Sequence, residues 1–442
     1  MASLKIIDWT AIPESFYRAR RYSSGTEAVP SILEAVRERG DAAVREFSAK
    51  FDRAHPETFE IDHGELTATV RRLFDEDREL YDAIVVSRDL ALAFAERQRR
   101  SFDDFDVELS PGLVTGQRIR PVDRAGLYVP GGRFPLVSSV IMCTSPARAA
   151  GVGEIILCTP PAPHPSGDEA LPWADWRTLA VASMCGVRRV FAIGGAQAIG
   201  AMAFGTETVP GVNVIAGPGN KYVTAAKRYV FGEVGIDLLA GPSEVLIVAD
   251  GSANPSWVAA DLYAQAEHDP DAQAVLVTTS RTLALAVRDE IERILSDLPA
   301  DSVARKSFED NGYAIIADTL DRAIGISNRK APEHLELALE AGSERDRLEA
   351  EARDYGSVFL GHRTAEVLGD FAAGLNHTLP TSGSARFTGG LSVRHFLRTV
   401  TALRSPSGDD SGWEKSVRAA EVIARAEGLA GHALAARLRI PR

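Results

Sequence analysis

The sequence predicts an α/β protein built from two Rossmann-like parallel-sheet domains, with an α-helical N-terminal segment and a helical C-terminal tail. From residue 123 onward, short β-branched apolar runs alternate with Ala-rich stretches of helical periodicity. Continuous apolar strands separated by helices are typical of parallel sheets that are covered on both faces. The chain of 442 residues is also too long for one average domain, so two or more cores are expected.

The elements follow in order along the chain. Residues 13–110 are charged and carry apolar residues at helical spacing, most clearly over 28–51 and 65–100, which predicts a helical layer. The predicted strands are 126–129, 154–159, 190–194, 212–216, 245–249, 274–278, 313–317 and 357–360. The stretch 160–172 is rich in Pro, His and Asp and predicts an exposed loop, and an apolar stripe from 412 onward predicts a helical tail. The predicted domains are 1–122, 123–240, 241–380 and 381–442.

Composition excludes several classes of function. The formal net charge of −12 repels phosphate backbones, which argues against a nucleic-acid partner. There is no uninterrupted apolar span of membrane length and no signal-peptide pattern, so we expect no membrane partner. Three sparse cysteines fit a reducing, cytoplasmic setting, and Cys158, within an apolar run, is expected to be a buried structural thiol.

Gly-rich turns recur between the predicted strands and helices. They are found at 130–132, 194–197, 217–220 and 241–244. Glycine at the carboxyl ends of strands allows backbone N–H groups to approach a pyrophosphate, although any one such turn also serves as a tight strand–helix connection. Four in succession favour a dinucleotide or a similar ligand. None matches the strict G-x-G-x-x-G pattern, so an ordinary Rossmann fingerprint is absent.

Polar residues in the second half suggest a metal site. Gln265 and His268 are three residues apart, a spacing that places two side chains on one face of a helix. Asp370, His377 and His432 lie in polar or Gly-rich settings and extend this nitrogen- and oxygen-rich set. Such ligands suit Zn²⁺, with Mn²⁺ or Co²⁺ as substitutes. Each residue alone is equally compatible with an ordinary polar helix face or a loop.

Glu333 and His334 pair a carboxylate with an imidazole, the usual parts of an acid/base site. They follow Pro332 and open an apolar run, which predicts the first turn of a helix, where the dipole would lower the pKa of His334. The alternative is that Glu333 only stabilises the helix N-terminus. The remaining histidines are expected at the surface: His55, His63, His164, His362 and His395. Metal ligands, an acid/base pair and Gly-rich turns together predict an enzyme.

Motifs throughout the chain resemble those of the histidinol dehydrogenase family. The matching stretches are 128–132, 194–199, 216–220, 240–244, 265–269, 331–337, 369–370, 376–381 and 427–429 with His432. The resemblance implies zinc ligands Gln265, His268, Asp370 and His432, NAD contacts Tyr128, Gln197 and Asn220, and the catalytic pair Glu333 and His334. It implies substrate contacts from Ser243, His377 and Glu427, besides His334 and the metal ligands.

The resemblance also implies a reaction and an assembly. Family members oxidise L-histidinol to L-histidine through the aldehyde, in two hydride transfers to NAD⁺. They are homodimers in which the C-terminal segment of one chain completes the site of its partner, so Glu427 and His432 are expected to act in trans.

Two stretches depart from the usual family pattern. After the first Gly-rich turn the chain continues Arg133-Phe134-Pro135, and after Phe387 it continues Thr388-Gly389-Gly390. Both resemble the branch that oxidises a sulfonated diol, and an arginine near the pocket suits an anionic group, although Arg133 is also compatible with an exposed loop. Ser243 and Glu427 match the histidinol type. The alternatives to histidinol are therefore another small polar or anionic alcohol and, from other classes, a non-catalytic metal-binding relative or a zinc hydrolase.

Overall fold

The structure is a computed structural model that describes residues 4–20, 25–131, 135–406 and 410–440. Its strands are β1 (Lys5–Asp8), β2 (Phe105–Ser110), β3 (Leu113–Pro121), β4 (Arg124–Tyr128), β5 (Glu154–Thr159), β6 (Arg189–Ala192), β7 (Val214–Ala216), β8 (Gly235–Ile236), β9 (Glu244–Ala249), β10 (Gln273–Thr278), β11 (Tyr313–Ile316), β12 (His334–Ala338), β13 (Ser357–Leu360) and β14 (Leu397–Arg404). Its helices are α1 (Val29–Arg39), α2 (Asp41–Phe47), α3 (His63–Glu76), α4 (Arg78–Arg99), α5 (Val137–Ala150), α6 (Trp176–Met184), α7 (Gly195–Phe204), α8 (Lys221–Val230), α9 (Pro255–Ala266), α10 (Arg281–Ser296), α11 (Val303–Asn311), α12 (Leu320–Lys330), α13 (Ser343–Glu351), α14 (Glu366–Phe371), α15 (Ser411–Ala426) and α16 (Ala430–Arg437).

Five strands form the first parallel sheet, in the order β6-β5-β4-β7-β8. The chain enters at the central strand β4, moves outward through β5 to β6, and then crosses to β7 and β8 on the other side. Ile156 and Cys158 of β5 pack in the core formed with α1, α7 and α8, whereas Leu157 between them packs in the core formed with α5 and α6. Neighbouring side chains of a strand point to opposite faces, so a strand buried on both faces must be apolar throughout.

The second parallel sheet has six strands, in the order β1-β11-β10-β9-β12-β13. It repeats the path of the first sheet, because the chain moves outward from β9 through β10 to β11 and then crosses to β12 and β13. Each sheet therefore has a switch point, between β4 and β7 in the first and between β9 and β12 in the second. The edge strand β1 comes from the N-terminus, where Ile6 pairs with Ala314.

A small antiparallel sheet, in the order β14-β3-β2, joins residues 105–121 to the C-terminal part of the chain. Most of its side chains are at least partly exposed, including Leu109 and Leu403, each 71% exposed. The predicted helical tail is present as α15 and α16, and Trp413 N–H donates to the carbonyl oxygen of Pro111 at 2.9 Å. The tail is therefore anchored to the turn between β2 and β3.

Each predicted strand is observed, two of them (β5 and β13) with the predicted bounds. The predicted helical N-terminal layer is present as α1 to α4, and Cys158 is buried as predicted, which raises the pKa of its thiol. The strands β1, β2, β3, β8, β12 and β14 were not predicted. Among the described residues, none of the helices combines the length and the apolar composition that a membrane crossing requires.

Candidate active site

Glu333 and His334 lie at the amino end of β12, in the interior of the second sheet. His334 is the first residue of the strand and pairs with Val245 of β9 and Ser357 of β13. The prediction that the pair begins a helix is therefore wrong. The chain leaves α12 at Ala331, whose left-handed φ of 55° turns it into the sheet. A short apolar run is ambiguous between helix and strand by periodicity alone, and here the neighbouring strands decide the conformation.

The buried His334 ring is surrounded by carboxylates. Its Nδ1 lies 3.5 Å from Glu366 Oε1 and 3.9 Å from Glu333 Oε2, and its Nε2 lies 3.7 Å from Asp370 Oδ1. Burial opposes a positive charge on the ring, but the nearby carboxylates raise the pKa of His334 well above its usual value. The expected lowering of this pKa is therefore wrong, because it rested on a helix dipole that the site lacks.

The carboxyl group of Glu333 is buried, and a hydrogen bond fixes its position. Its Oε2 accepts a hydrogen bond from the backbone N–H of Glu244 at 3.0 Å. Burial raises the pKa of Glu333 to about 8, although the charge of His334 and this N–H oppose the shift. The Glu244 side chain is itself buried and accepts a hydrogen bond from Lys330 Nζ at 2.9 Å. The Glu333 carboxyl group thus has a fixed position next to the imidazole, as an acid/base pair requires.

Two predicted metal ligands, Gln265 and Asp370, lie against the His334 ring, whereas the His268 side chain is exposed. Gln265, near the end of α9, places Nε2 3.4 Å from His334 Nδ1, and Asp370 on α14 lies beside Nε2. Burial tends to raise the pKa of Asp370, but the adjacent His334 ring lowers it, with smaller contributions from His377 and His268. The expected common helix face of Gln265 and His268 is not observed. The helix ends at Ala266, and the His268 N–H donates to the Gln265 carbonyl oxygen at 3.3 Å in the turn beyond it.

His377 connects this group to the first sheet. Its Nε2 lies 3.3 Å from the hydroxyl oxygen of Ser138, in the first turn of α5, the helix that follows β4. Burial lowers the pKa of His377, while the charge of Asp370 opposes that shift. Ser243 directly precedes β9, and its carbonyl oxygen accepts a hydrogen bond from Gln273 N–H at 2.9 Å. The amino edge of the second sheet therefore meets the carboxyl edge of the first at this site.

The site contains side chains that fit one metal ion. His334, Glu366 and Asp370 each offer a ligand atom, and these atoms lie within 4.8 Å of one another. Among the described residues, His334 Nε2 and Glu366 Oε2 are buried polar atoms without a hydrogen-bond partner, which is the condition expected of atoms that bind an ion. Nitrogen and oxygen donors of this kind suit Zn²⁺. Asp370 is common to this group and to the predicted ligand set, and Gln265 adjoins it.

The predicted cofactor residues lie at the carboxyl edge of the first sheet. Tyr128 ends β4, and its hydroxyl oxygen accepts a hydrogen bond from Gly195 N–H at 3.1 Å. Gln197, in the first turn of α7, donates from Nε2 to Asp52 at 3.0 Å. The side chain of Asn220 caps α8 by accepting hydrogen bonds from two backbone N–H groups. Tyr128 and Asn220 follow β4 and β7, the strands of the switch point where an open α/β sheet binds ligands, and Gln197 follows β6 at the same edge.

The Gly217 turn between β7 and α8 packs closely against β4. Gly217 has a φ of 124°, and a side chain there would overlap the carbonyl oxygen of Tyr128. Two buried charges hold its peptide groups, since Asp237 accepts from Gly217 N–H at 2.8 Å and Lys227 donates to its carbonyl oxygen at 3.0 Å. The turn over 241–244, by contrast, leads into the amino end of β9, so the expectation that it lies at the carboxyl end of a strand is wrong.

Two predicted residues are not brought to this group within one chain. Glu427 follows α15 and His432 lies on α16, and both side chains are exposed. Within the described parts of the chain, neither side chain has a hydrogen bond or an ion pair with the residues around His334. The fold of a single chain therefore does not bring Glu427 or His432 to the residues around His334.

Sequence reasoning missed several charged residues of the site. Glu366 lies four residues before Asp370 on α14, so the spacing was an available signal. Glu336 is buried two residues beyond His334, and its carboxylate accepts a hydrogen bond from Glu366 N–H at 2.9 Å. Asp52 is far from the other residues in sequence, and no pattern identified it.

The other sequence-based expectations have mixed outcomes. His55 and His63 are exposed as expected, whereas His164, His362 and His395 are half-buried, which corrects the prediction for these three. The departure at Arg133 and Phe134 lies outside the described residues. In the departure at 388–390, the hydroxyl oxygen of Thr388 accepts a hydrogen bond from Arg394 at 2.7 Å.

Comparisons with known proteins identify relatives over nearly the whole chain. A family model described as histidinol dehydrogenase matches residues 17–440. The chain is 46% identical over 416 residues to the histidinol dehydrogenase of a Synechococcus species, covering 93% of this chain and 91% of that protein. It is 42% identical over 443 residues to that of Aquifex aeolicus, with coverage of 98% and 97%. The crystal structure of histidinol dehydrogenase from Elizabethkingia anophelis superposes with a TM-score of 0.87 at 35% identity, covering 99% of this chain and 98% of that one.

Proposed function

This chain belongs to the histidinol dehydrogenase family, NAD-dependent oxidoreductases, and from that premise we propose that Glu333 and His334 are the pair with which it oxidises L-histidinol to L-histidine. The observation that carries the assignment is the position of the His334 ring, which is buried and contacts Gln265, Asp370 and Glu366 at 3.4 to 3.7 Å. A base in this position lies next to the side chains proposed as metal ligands. It also lies at the edge of the second sheet that meets the first sheet.

The proposed zinc ligands are Gln265, His268 and Asp370 of one chain and His432 of the partner subunit. The Gln265 amide and the Asp370 carboxylate, which lie 3.4 and 3.7 Å from the buried His334 ring, support a metal there. When bound by these residues, zinc would supply a positive charge that positions the substrate, and NAD⁺ would be the hydride acceptor. Tyr128, Gln197 and Asn220 are the proposed NAD contacts, because they surround the switch point of the first sheet.

His334 takes the proton of the substrate hydroxyl group during the first oxidation. Its Nδ1 lies 3.1 Å from the carbonyl oxygen of Glu244, so in the neutral ring Nδ1–H donates there, and we assign Nε2 to the substrate proton and not to the metal. The carboxylates that raise the pKa of His334 stabilise the imidazolium that forms when Nε2 takes this proton. Glu333 removes a proton from the water that adds to the aldehyde, which prepares the second oxidation. Burial of both side chains excludes bulk water from the site.

Substrate contacts are proposed for Ser243 and His377, with Glu427 of the partner subunit. His377 lies between Asp370 and Ser138, on the path from the second sheet to the first. A substrate held by these residues would place its hydroxyl group next to His334. The carbon atom that bears this hydroxyl group would face the proposed NAD contacts. An acidic residue such as Glu427 suits the amine of histidinol.

The assignment is tested by NADH formation with L-histidinol and the zinc-loaded protein. We expect two NADH per histidinol for the unchanged protein, a loss of about a hundredfold or more in kcat for His334→Ala, and a selective loss of the second oxidation for Glu333→Gln. His63→Ala and Glu340→Gln, at exposed positions, are the matched controls. Turnover of a sulfonated diol without turnover of histidinol would overturn the substrate assignment.

We also propose a homodimer in which the C-terminal helices complete the partner's site. The tail exposes a series of apolar side chains that a monomer would leave in water, among them Val422 (55%), Ile423 (58%) and Leu438 (74%). Contiguous exposed apolar side chains of this kind are typical of a subunit interface. Because His432 is exposed and, among the described residues, has no hydrogen bond or ion pair with Gln265 or Asp370, a partner chain is the natural source of the fourth ligand.

Complementation between two inactive variants tests the exchange. Asp370→Asn and His432→Ala are each expected to be inactive and to bind zinc poorly. Co-expressed, they should recover about a quarter of the unchanged activity, because about half of the random dimers are mixed and each mixed dimer has one intact site. If His432 acted within its own chain, the mixed dimers would contain no intact site and the mixture would stay inactive.

A further inference from the structure

A cleft between α9 and the turn that leads into α14 has no role in the site described so far. It has a volume of about 330 Å³ and is lined by Trp257, Ala260, Asp261, His362, Arg363 and Ala365. The same two helices carry side chains that approach the His334 ring, namely Gln265 on α9 and Asp370 on α14. A ligand in the cleft would therefore touch both helices that supply those side chains.

The cleft carries one charge of each sign, and neither charge has a partner. Among the described residues, the side chains of Asp261 and Arg363 form neither a hydrogen bond nor an ion pair. Elsewhere in this domain ion pairs are frequent, as at Arg347, which pairs with both Asp321 and Glu351. Two unpaired opposite charges on one cleft suit a ligand that itself carries both charges.

The surroundings of Asp261 favour a cationic group in the ligand. Asp261 interacts electrostatically with Glu336 and Glu366, which are also acidic and are 4% and 3% exposed. Burial raises the pKa of Asp261 to about 6, so its carboxyl group is ionised at pH 8. A half-buried carboxylate in acidic surroundings, without a cation of its own, is stabilised by an ammonium group.

A chain of hydrogen bonds determines which nitrogen of the neutral His362 ring carries the hydrogen. Ser252 Oγ donates its one hydrogen to Asp250 Oδ1 at 2.5 Å, and it lies 3.2 Å from His362 Nε2. Because the hydroxyl hydrogen is used, Nε2–H must donate to Ser252, which leaves Nδ1 as an acceptor. Among the described residues, His362 Nδ1 is a buried atom without a hydrogen-bond partner. It is a second acceptor available to an ammonium group.

The α9 wall of the cleft is apolar. Trp257 lies in the first turn of α9 and is 51% exposed, and Ala260, three residues further on, lies on the same helix face. An exposed indole ring next to separated charges suits a planar side chain in the ligand. The volume of about 330 Å³ is in the range of sites that bind small molecules.

We propose that this cleft binds a free α-amino acid with a planar side chain and that its occupant alters turnover. The ammonium group pairs with Asp261 and donates to His362 Nδ1. The carboxylate pairs with Arg363, and the planar side chain packs on Trp257. L-Histidine has all three groups, and its choice as the ligand rests on the proposed function, in which it is the product. Binding in the cleft is then linked to binding of the substrate through α9 and α14.

Calorimetric titration at pH 8 tests the binding site. The zinc-loaded protein is saturated with L-histidinol in the absence of NAD⁺, so that the proposed active site is filled and no turnover occurs. The probes are L-histidine, histamine, which lacks the carboxylate, and imidazole-4-propionate, which lacks the amine. We expect L-histidine to bind about tenfold or more tightly than either analogue, because each analogue loses one charged contact. Equal affinities for the three probes would overturn the proposal.

Two variants separate the two charged contacts. Arg363→Ala should weaken L-histidine binding about tenfold and leave histamine binding unchanged. Asp261→Asn should weaken the binding of both amines about tenfold and leave imidazole-4-propionate unchanged. Arg353→Ala, at an exposed position outside the cleft, is the matched control and should change no affinity. Unchanged affinity for L-histidine in Arg363→Ala and Asp261→Asn would refute the site.

Steady-state kinetics test the link to turnover. With histidinol and NAD⁺ both saturating, L-histidine should change kcat about twofold or more in the unchanged protein and in Arg353→Ala, but not in Arg363→Ala. The same response in all three proteins would refute the link between the cleft and the active site. Failure to oxidise histidinol would refute the proposed substrate, and the dependence of L-histidine binding on Arg363 would still decide whether the cleft is a site.

Discussion

The buried pair Lys227–Asp237 should be one of the strongest single determinants of stability in the first domain. The side chains are 4% and 0% exposed, and they are in direct ion-pair contact. Removing one partner of a buried pair leaves a charge without compensation, which costs about 3–5 kcal/mol. The two single changes should differ, because Asp237 retains backbone donors at 2.8 and 2.6 Å from Gly217 and Leu238 when Lys227 is lost.

Asp237→Asn removes the negative charge paired with Lys227 and turns an amide NH₂ toward the backbone donor of Gly217 or Leu238, so its cost should be near about 5 kcal/mol and that of Lys227→Met near about 3 kcal/mol. In the double variant both charges are absent, and the total should fall short of the sum by about 2 kcal/mol or more. The measurement is urea-induced unfolding followed by tryptophan fluorescence, at one fixed protein concentration because a dimer's stability depends on it. Additivity within about 0.5 kcal/mol, or a larger loss for Lys227→Met than for Asp237→Asn, would refute the reasoning.

Three further outcomes are expected. Gly217→Ala should destabilise the protein far more than Gly232→Ala. Both glycines have left-handed φ angles (124° and 109°), but only at Gly217 would the added methyl group overlap a neighbouring backbone. Thermal unfolding of both variants compares them directly. The thiols of all three cysteines are buried, which raises their pKa. A thiol reagent at pH 8 should therefore label none of them in the folded protein and all three in guanidinium. Rapid labelling of the folded protein would contradict the packing. Lys330→Met breaks the pair with Glu244, whose N–H donates to Glu333, and should lower kcat about ten- to a hundredfold while the Kd for NADH stays unchanged.

Local sequence patterns were sufficient for most of the parallel strands. The runs at 154–159 and 245–249 are apolar at every position or nearly so, which is required of strands covered on both faces, and both are observed. The antiparallel strands β2, β3 and β14 were missed because their side chains are largely exposed and their residues carry no apolar run. The strand β12 was mistaken for a helix because five residues do not distinguish the two periodicities.

Motifs identified the residue types of the candidate site, since Gln265, His268, Glu333, His334, and Asp370 are recognisable in their local sequence. Their charge states were not predictable in this way. The direction of the pKa shift of His334 depends largely on Glu366 and Asp370 of α14, which approach the ring only in the folded chain. Electrostatic interactions fall with distance through space, and sequence separation carries no information about that distance.

The sequence by itself determined the α/β class, the paired parallel sheets and the family to which the chain belongs, because these depend on local periodicity and on motifs of a few residues. Only the tertiary structure decided that His334 begins a strand, that Glu366 lies against its ring, and that Asp52 contacts Gln197. These are contacts between segments far apart in the chain, and they form where the packing of helices on the two sheets brings those segments together.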